Sequence, residues 1–151
     1  MPADREAVLE LWWLLAAEGH RADPRYRMQA DAREAVEDVV DGWFSPSTLT
    51  SVWVAETDRL VGFVAVRPAE LHPLLDRPPT LLLTDAVVDP SARRGGVGRS
   101  LVRAVREHAL ANGFISIEVG TLARDARALA FWRAMGFGDW RVTLESPADR
   151  R

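Results

Sequence analysis

The segment DPSARRGGVGRS, residues 89–100, decides how the chain is organised, because it joins a strand pattern to a helix pattern. Before it, TLLLTDAVV (residues 80–88) is apolar on both faces, which is typical of a strand buried in the middle of a sheet. After it, apolar residues recur with helical spacing while arginines take the opposite side. A further β-rich run, FISIEV (residues 114–119), follows. The pattern predicts a βαβ unit with parallel strands and a right-handed crossover.

The same segment has the composition of an anion-binding loop. Its glycines leave the backbone amides bare at a helix N-terminus, where the helix dipole and the free N–H groups favour a phosphate. It is not a P-loop, which needs a glycine and a lysine where Arg93 and Arg99 stand. It is not a dinucleotide fingerprint either, because Leu101 replaces the third glycine. Taken alone, GGVG is equally compatible with a plain glycine-rich turn.

Before this segment, the sequence predicts two helices and a hairpin. The first helix covers residues 4–18 and is ended by Gly19. The second begins at a possible capping box of Asp31 and Glu34 and ends near Gly42. The run SVWVAETDRLVGFVAVRP, which starts at residue 51, then reads as two strands about a turn.

After this segment, two more elements are predicted beyond the FISIEV strand. DARALAFWRAM (residues 125–135) reads as a short helix that Asp125 caps and Gly136 ends. WRVTLE (residues 140–145) reads as a last strand. No repeat and no long linker interrupts the 151 residues, so a single domain is expected.

Composition excludes several classes of protein. No apolar run approaches the roughly 20 residues that span a bilayer. The absence of cysteine excludes disulfides and thiolate chemistry and fits a cytoplasmic protein. Only three scattered histidines occur, so no metal site is expected, and the net charge of −3 argues against a nucleic-acid binder. All 19 basic residues are arginine, as expected of a GC-rich bacterial genome, so only their local placement is informative.

Two spaced motifs give the chain a family resemblance. VVDPSARRGGVGRSLV resembles the acyl-CoA signature of the GNAT superfamily of N-acetyltransferases, whose core is Arg/Gln-x-x-Gly-x-Gly/Ala. DARALAFWRAMGF resembles the second signature of that family, in which asparagine and tyrosine usually stand where Asp125 and Trp132 do. The resemblance covers nearly the whole chain and implies one acyl-CoA N-acyltransferase domain over residues 1–151. The implied α/β fold is a mixed central sheet with splayed parallel strands, flanked by helices and lacking the usual first strand.

The resemblance also implies acetyl-CoA as the cofactor. The pyrophosphate would bind the backbone amides from Arg94 to Arg99, and the pantetheine arm would pair with the strand that precedes the loop. A side chain at Gly96 or Gly98 is expected to meet the phosphate while the fold survives. The implied cofactor-binding residues are Ala86, Val87, Val88, Arg93, Arg94, Gly95, Gly96, Val97, Gly98, Arg99, Ser100, Asp125 and Trp132.

Acetyl transfer to an amine requires a base, a group that polarises the thioester carbonyl, and a route for the thiolate to leave. Asp85 and Glu118 are the candidate bases, one on each strand that would splay, and deprotonation through water is the alternative. A backbone N–H near Val88 is the implied polarising group. Trp132 replaces the tyrosine that often protonates the thiolate, and an indole N–H cannot do so at neutral pH.

The acceptor is expected to be a primary amine of a small molecule or peptide. It would enter between the first two helices and the loop from Pro68 to Pro79. The polar residues of that region are Glu18, His20, Asp23, Tyr26, Glu70, His72 and Asp76. Two alternatives remain at this point: a catalytically silent coenzyme A-binding module on the same fold, and a nucleotide-binding regulator. The open sheet edge implied by the missing strand suggests a homodimer.

Overall fold

The computed structural model describes residues 2–149, and side chains from Asp4 onward. A short 3₁₀ turn, Pro90–Ala92, lies in the loop after the third strand. No helix in this part of the chain is long and apolar enough to cross a membrane. The elements are α1 (Pro2–Ala22), α2 (Ala32–Trp43), β1 (Ser51–Glu56), β2 (Leu60–Pro68), β3 (Thr80–Val88), α3 (Val97–Ala111), β4 (Ser116–Val119) and α4 (Ala126–Ala134).

The four strands form one mixed sheet in the order β1-β2-β3-β4. The pairs β1–β2 and β2–β3 are antiparallel, and β3–β4 is parallel. The parallel pair confirms the βαβ unit, since α3 connects β3 to β4. In the described residues β1 pairs only with β2, so its outer edge is open, as the sequence predicts.

Helices cover both faces of the sheet, and each face has its own core. On one face α3 and α4 pack against the sheet, and the core there contains Val64, Val66, Leu81, Leu83, Leu101, Val102, Val105, Ala109, Trp132 and Met135. On the other face α1 and α2 pack, with a core of Val8, Leu9, Leu11, Val36, Val40, Phe63, Ala65 and Val87. The apolar stripe predicted for α3 is confirmed, because all four of its residues are buried: Leu101, Val102, Val105 and Ala109.

The first two helices differ from the prediction at their ends. α1 continues through Gly19 to Ala22. Gly19 serves packing instead, because a Cβ there would lie 2.6 Å from the ring of Tyr26. Asp31 precedes α2 but its side chain makes no cap hydrogen bond, so the predicted capping box is not formed. The caps of α4 are as predicted: the carboxylate of Asp125 accepts from a backbone N–H in the first turn at 3.0 Å.

The predicted last strand is wrong. Residues 140–145 have no strand structure, and the apolar side chains that suggested one are exposed, Val142 by 79% and Leu144 by 88%. This segment contacts the rest of the protein through side chains and not through strand pairing. Arg141 bonds to Glu118 on β4, and the side chain of Glu145 lies 3.6 Å from that of Arg25. Alternation of apolar residues matched a strand, but strand formation also requires a neighbour with which to pair.

Candidate active site

The two parallel strands separate partway along their length. β3 pairs with β4 from Thr80 to Leu83 only, although β3 itself continues to Val88. At the point of separation β3 has a bulge, because the register against β2 skips Thr84. Among residues 2–149, one edge of the segment 84–88 therefore has no neighbouring strand. This confirms the predicted splay and leaves an opening between the two strands at this end of the sheet, next to the glycine-rich loop.

Alternation of hydrogen bonds decides which backbone groups face this open edge. The N–H of Asp89 donates to the carbonyl of Val61 on β2 at 2.7 Å. In an antiparallel ladder, the backbone N–H and C=O groups of successive residues point alternately toward the partner strand and away from it. Since those of Asp89 point to β2, those of Val88 point away. One step back, the groups of Val87 therefore point to β2, and those of Ala86 point away. The open edge presents the N–H and C=O groups of Ala86 and Val88, and not those of Val87.

Arg93, the first residue of the loop motif, points toward β3 and α1. Its Nε donates to the carbonyl of Val88 at 2.9 Å, and its Nη2 donates to Glu18 at 2.6 Å. Glu18 also forms an ion pair with Arg127 of α4, at 3.0 Å. These contacts border an open cleft of about 450 Å³ between the end of α1, the 3₁₀ turn and the start of α4. Arg93 and Glu18 together thus connect the end of β3, α1 and α4 beside the cleft, while Arg94 and Arg99 are exposed.

Two positions of the loop, Gly96 and Gly98, favour glycine for different structural reasons. Gly96 precedes α3 with a φ of +82°, in the left-handed region that favours glycine. Gly98 lies in the first turn of α3, where a Cβ would stand 2.9 Å from the ring of Phe131. A side chain at Gly98 would therefore also press on the ring of Phe131 in α4, a cost in stability that the sequence did not predict.

Gly98→Val is expected to lower the free energy of unfolding by roughly 1–3 kcal/mol, since the new side chain overpacks the contact between α3 and α4. Gly42→Val is the matched control, because Gly42 also lies in a helix but a Cβ there would meet nothing within 4 Å. Its effect should stay within about 0.5 kcal/mol. Urea denaturation measures both. Equal effects of the two substitutions would refute the packing role of Gly98.

Asp85 is the carboxylate at the opening. Val87, two residues further along β3, faces the core of α1 and α2, so Asp85 lies on that same face of the sheet. Burial raises the pKa of Asp85 above its usual range, and hydrogen bonding from Thr84 and Trp12 offsets this only in part. A carboxylate that holds its proton more tightly than usual is a better base toward an ammonium group.

Glu118, the second candidate base, lies on the same face but is paired. It accepts from Arg141 at 2.5 Å, and Arg77 lies 3.9 Å away. The Arg77 guanidinium in turn stacks on the ring of Trp140 at 4.0 Å. Glu118 therefore holds the loop before β3 and the C-terminal segment against β4. Of the two predicted bases, only Asp85 stands beside the opening without an arginine partner in the part of the chain that the structure describes.

The predicted acceptor residues differ in their surroundings. Asp23 is 3% exposed, and hydrogen bonds from the Arg25 guanidinium hold the pKa of Asp23 well below its usual range, which indicates a structural role. Tyr26 packs on α1 near the opening: burial, and then the negative charge of Asp85, raise the pKa of its hydroxyl. The loop residues are exposed: Glu70, His72 and Asp76. The role of Trp12 beside Asp85 was missed, because its spacing predicts only the apolar face of a helix.

Trp132 is a core residue. It is 8% exposed and packs edge-to-face with Phe131 at 4.9 Å and with Phe137 at 5.1 Å. Its neighbours include the buried residues of α3 and the sheet. The indole thus packs α4 against α3 and the sheet.

Residues 6–137 match the sequence model of the Acetyltransferase (GNAT) family. N-acetyltransferase family 8 member 3 of Mus musculus is 38% identical over 86 residues, which are 56% of this chain and 37% of that protein. The mycothiol acetyltransferase of Kocuria rhizophila is 31% identical over 104 residues, which are 68% of this chain and 33% of that protein. The chain thus corresponds to about a third of the length of these relatives.

Solved structures show the same fold at low identity. The BH1408 protein from Bacillus halodurans, solved as a mutant, superposes with a TM-score of 0.73 at 19% identity, covering 92% of this chain and 94% of that one. The aminoglycoside N-acetyltransferase AAC(6')-Iy in complex with CoA superposes with a TM-score of 0.68 at 20% identity, covering 95% and 90%. The α/β fold with a mixed, helix-flanked sheet is therefore confirmed.

Proposed function

Since the chain belongs to the acetyltransferase (GNAT) family, we propose that it transfers the acetyl group of acetyl-CoA to a primary amine of a small molecule or peptide. The observation that carries this proposal is the unpaired edge of β3 where it separates from β4. An extended ligand can add to such an edge as a strand would, through backbone hydrogen bonds. The anion-binding loop at the N-terminus of α3 begins a few residues beyond that edge.

The pantetheine arm of the cofactor is proposed to pair with Ala86 and Val88. The backbone of Val87 bonds to β2 and is left out, which refines the set of residues implied by the sequence. The N–H of Val88 is proposed to polarise the thioester carbonyl. The supporting observation is that Arg93 bonds to the carbonyl of Val88 and so holds this end of β3.

The pyrophosphate is proposed to bind the amides of the loop. Two left-handed residues, Arg94 with φ +67° and Gly96 with φ +82°, shape this loop just before α3. The amides of residues 94–99 are the proposed donors, and Ser100 follows them in the first turn. Asp125 and Trp132 support the site from α4, the first as a cap and the second through packing.

Asp85 is proposed to remove the proton from the acceptor ammonium group. The supporting observations are its place on the face of α1 at the opening and the burial that raises its pKa. The amine would then attack the thioester carbonyl carbon, so that a carbon–nitrogen bond forms and the carbon–sulfur bond breaks. The coenzyme A thiolate would leave, and the remaining extra proton on the nitrogen would pass to that thiolate or to water. Trp132 supplies no proton to the thiolate, since an indole N–H is not an acid at neutral pH. The thiolate of coenzyme A can leave largely unprotonated, which slows the reaction without stopping it.

The amine acceptor and the activity can be tested together. Acetyl-CoA should raise the melting temperature by mass action on the folded state, whereas ATP and NAD should not. A library of amines is then screened for release of free thiol from acetyl-CoA. Turnover with at least one amine supports the enzyme, and binding without turnover of any amine supports the silent coenzyme A-binding module instead. Stabilisation by ATP or NAD, but not by acetyl-CoA, would support the nucleotide-binding regulator.

A homodimer and a cytoplasmic location complete the proposal. The open edge of β1 favours pairing or covering by a second copy. Sedimentation equilibrium tests this: a monomer at concentrations well above those of the cell would contradict it.

A further inference from the structure

A second cleft lies between α3 and α4 and is lined by arginine. It has a volume of about 270 Å³, and its lining residues are Arg99, Arg103, Arg106, Ala134 and Met135. The arginines follow at intervals of four and three residues, so they share one face of α3. Within residues 4–149, no carboxylate lies within ion-pairing distance of any of them. Three positive charges thus converge on one cleft without a neutralising group.

One of these arginines is already held in place. The Nη2 of Arg106 donates to the carbonyl of Met135 at the end of α4, and its guanidinium lies 5.8 Å from the ring centre of Phe137. A guanidinium has five N–H donors, so this contact leaves others free. Arg103 is exposed, and its side chain makes no hydrogen bond to the described residues. The cleft therefore combines one fixed cation with two adjustable ones, an arrangement suited to a phosphate.

We propose that this cleft binds the phosphate monoester on the ribose of coenzyme A. The inference rests on the proposed function, which puts the pyrophosphate at the N-terminus of α3. Arg99 lies in the first turn of that helix, and Arg103 lies one turn further, about 6 Å along the axis. In coenzyme A the third phosphate is separated from the pyrophosphate by one ribose, a span of similar size. The loop and the cleft thus contact different phosphates of the same cofactor.

Isothermal titration with coenzyme A and with 3′-dephospho-coenzyme A tests this assignment. The unmodified protein should bind coenzyme A about 10- to 100-fold more tightly than the dephospho form, because charge-assisted hydrogen bonds to the monoester are lost. Arg103→Gln should shrink this ratio several-fold by weakening coenzyme A binding, while the affinity for the dephospho form stays nearly unchanged. Arg33→Gln is the matched control, since Arg33 is an exposed helical arginine of α2 paired with Glu37, and it should leave the ratio unchanged.

The possible outcomes separate the two proposals. Equal affinities of the unmodified protein for the two ligands would overturn the phosphate site and leave the proposed function standing. Failure to bind either ligand would overturn both. If Arg103→Gln weakened the two ligands by the same factor, Arg103 would act on the pyrophosphate or through net charge, and the assignment would be wrong.

Discussion

Asp85→Asn is expected to lower kcat for amine acetylation by about 10²–10⁴-fold, the usual contribution of a general base, while acetyl-CoA still binds. The asparagine keeps the size and the hydrogen-bonding capacity of the carboxylate but cannot accept the proton. In the proposed mechanism Asp85 acts as the carboxylate, and burial raises its pKa. In the unmodified protein, kcat should therefore rise as the pH rises through this raised pKa. In Asp85→Asn this rise of kcat with pH should be absent. Steady-state kinetics over a range of pH, with an amine found in the screen, measures both.

Glu118→Gln is the matched control for this experiment. Glu118 lies on the same face of the sheet but is paired with Arg141 and Arg77. Its replacement should change kcat by a few-fold at most, through a looser attachment of the C-terminal segment. A collapse of kcat in Glu118→Gln, with normal activity in Asp85→Asn, would exchange the roles of the two carboxylates.

Trp132→Ala is expected to lower the free energy of unfolding by about 3–5 kcal/mol, because it leaves a cavity beneath α4. That is a large fraction of the roughly 5–15 kcal/mol that stabilises a typical domain. Trp140→Ala is the control: Trp140 is 54% exposed and contributes mainly its contact with Arg77, worth about 0.5–1 kcal/mol. Urea denaturation measures both variants. A smaller loss in Trp132→Ala than in Trp140→Ala would contradict the core position of Trp132.

Trp132→Phe separates packing from chemistry at the same position. It retains an aromatic ring for the contacts with Phe131 and Phe137 but removes the indole N–H. Most of the acetyl transfer activity should remain. A collapse of kcat with unchanged affinity for acetyl-CoA would assign the N–H a chemical role.

The sequence predicted those parts of the fold that local signals determine. The strand at residues 80–88 and the glycine-rich loop are contiguous, and together they predict the βαβ unit and the place of the candidate site. The last strand failed because residues 140–145 alternate correctly but have no partner strand in the described structure. Strand pairing depends on residues elsewhere in the chain, so the alternation within one segment does not predict it.

The sequence indicates on which face of the sheet the candidate bases lie, but not which side chains contact them. Both carboxylates lie on the face of the sheet toward α1, yet their difference depends on Arg77 and Arg141, which come from distant parts of the chain. Similarly, the need for glycine at position 98 arises from Phe131 on another helix. Such long-range contacts leave no local pattern in the sequence.

Amide hydrogen exchange at the open edge of β3, followed by NMR with and without acetyl-CoA, tests the central claim most directly. The N–H groups of Ala86 and Val88 face the edge, whereas that of Val87 bonds to β2 and serves as an internal control. Saturating acetyl-CoA should slow exchange at Ala86 and Val88 and change Val87 much less. Exchange at Ala86 and Val88 that stayed at its ligand-free rate in the saturated complex would show that the cofactor does not bind along this edge.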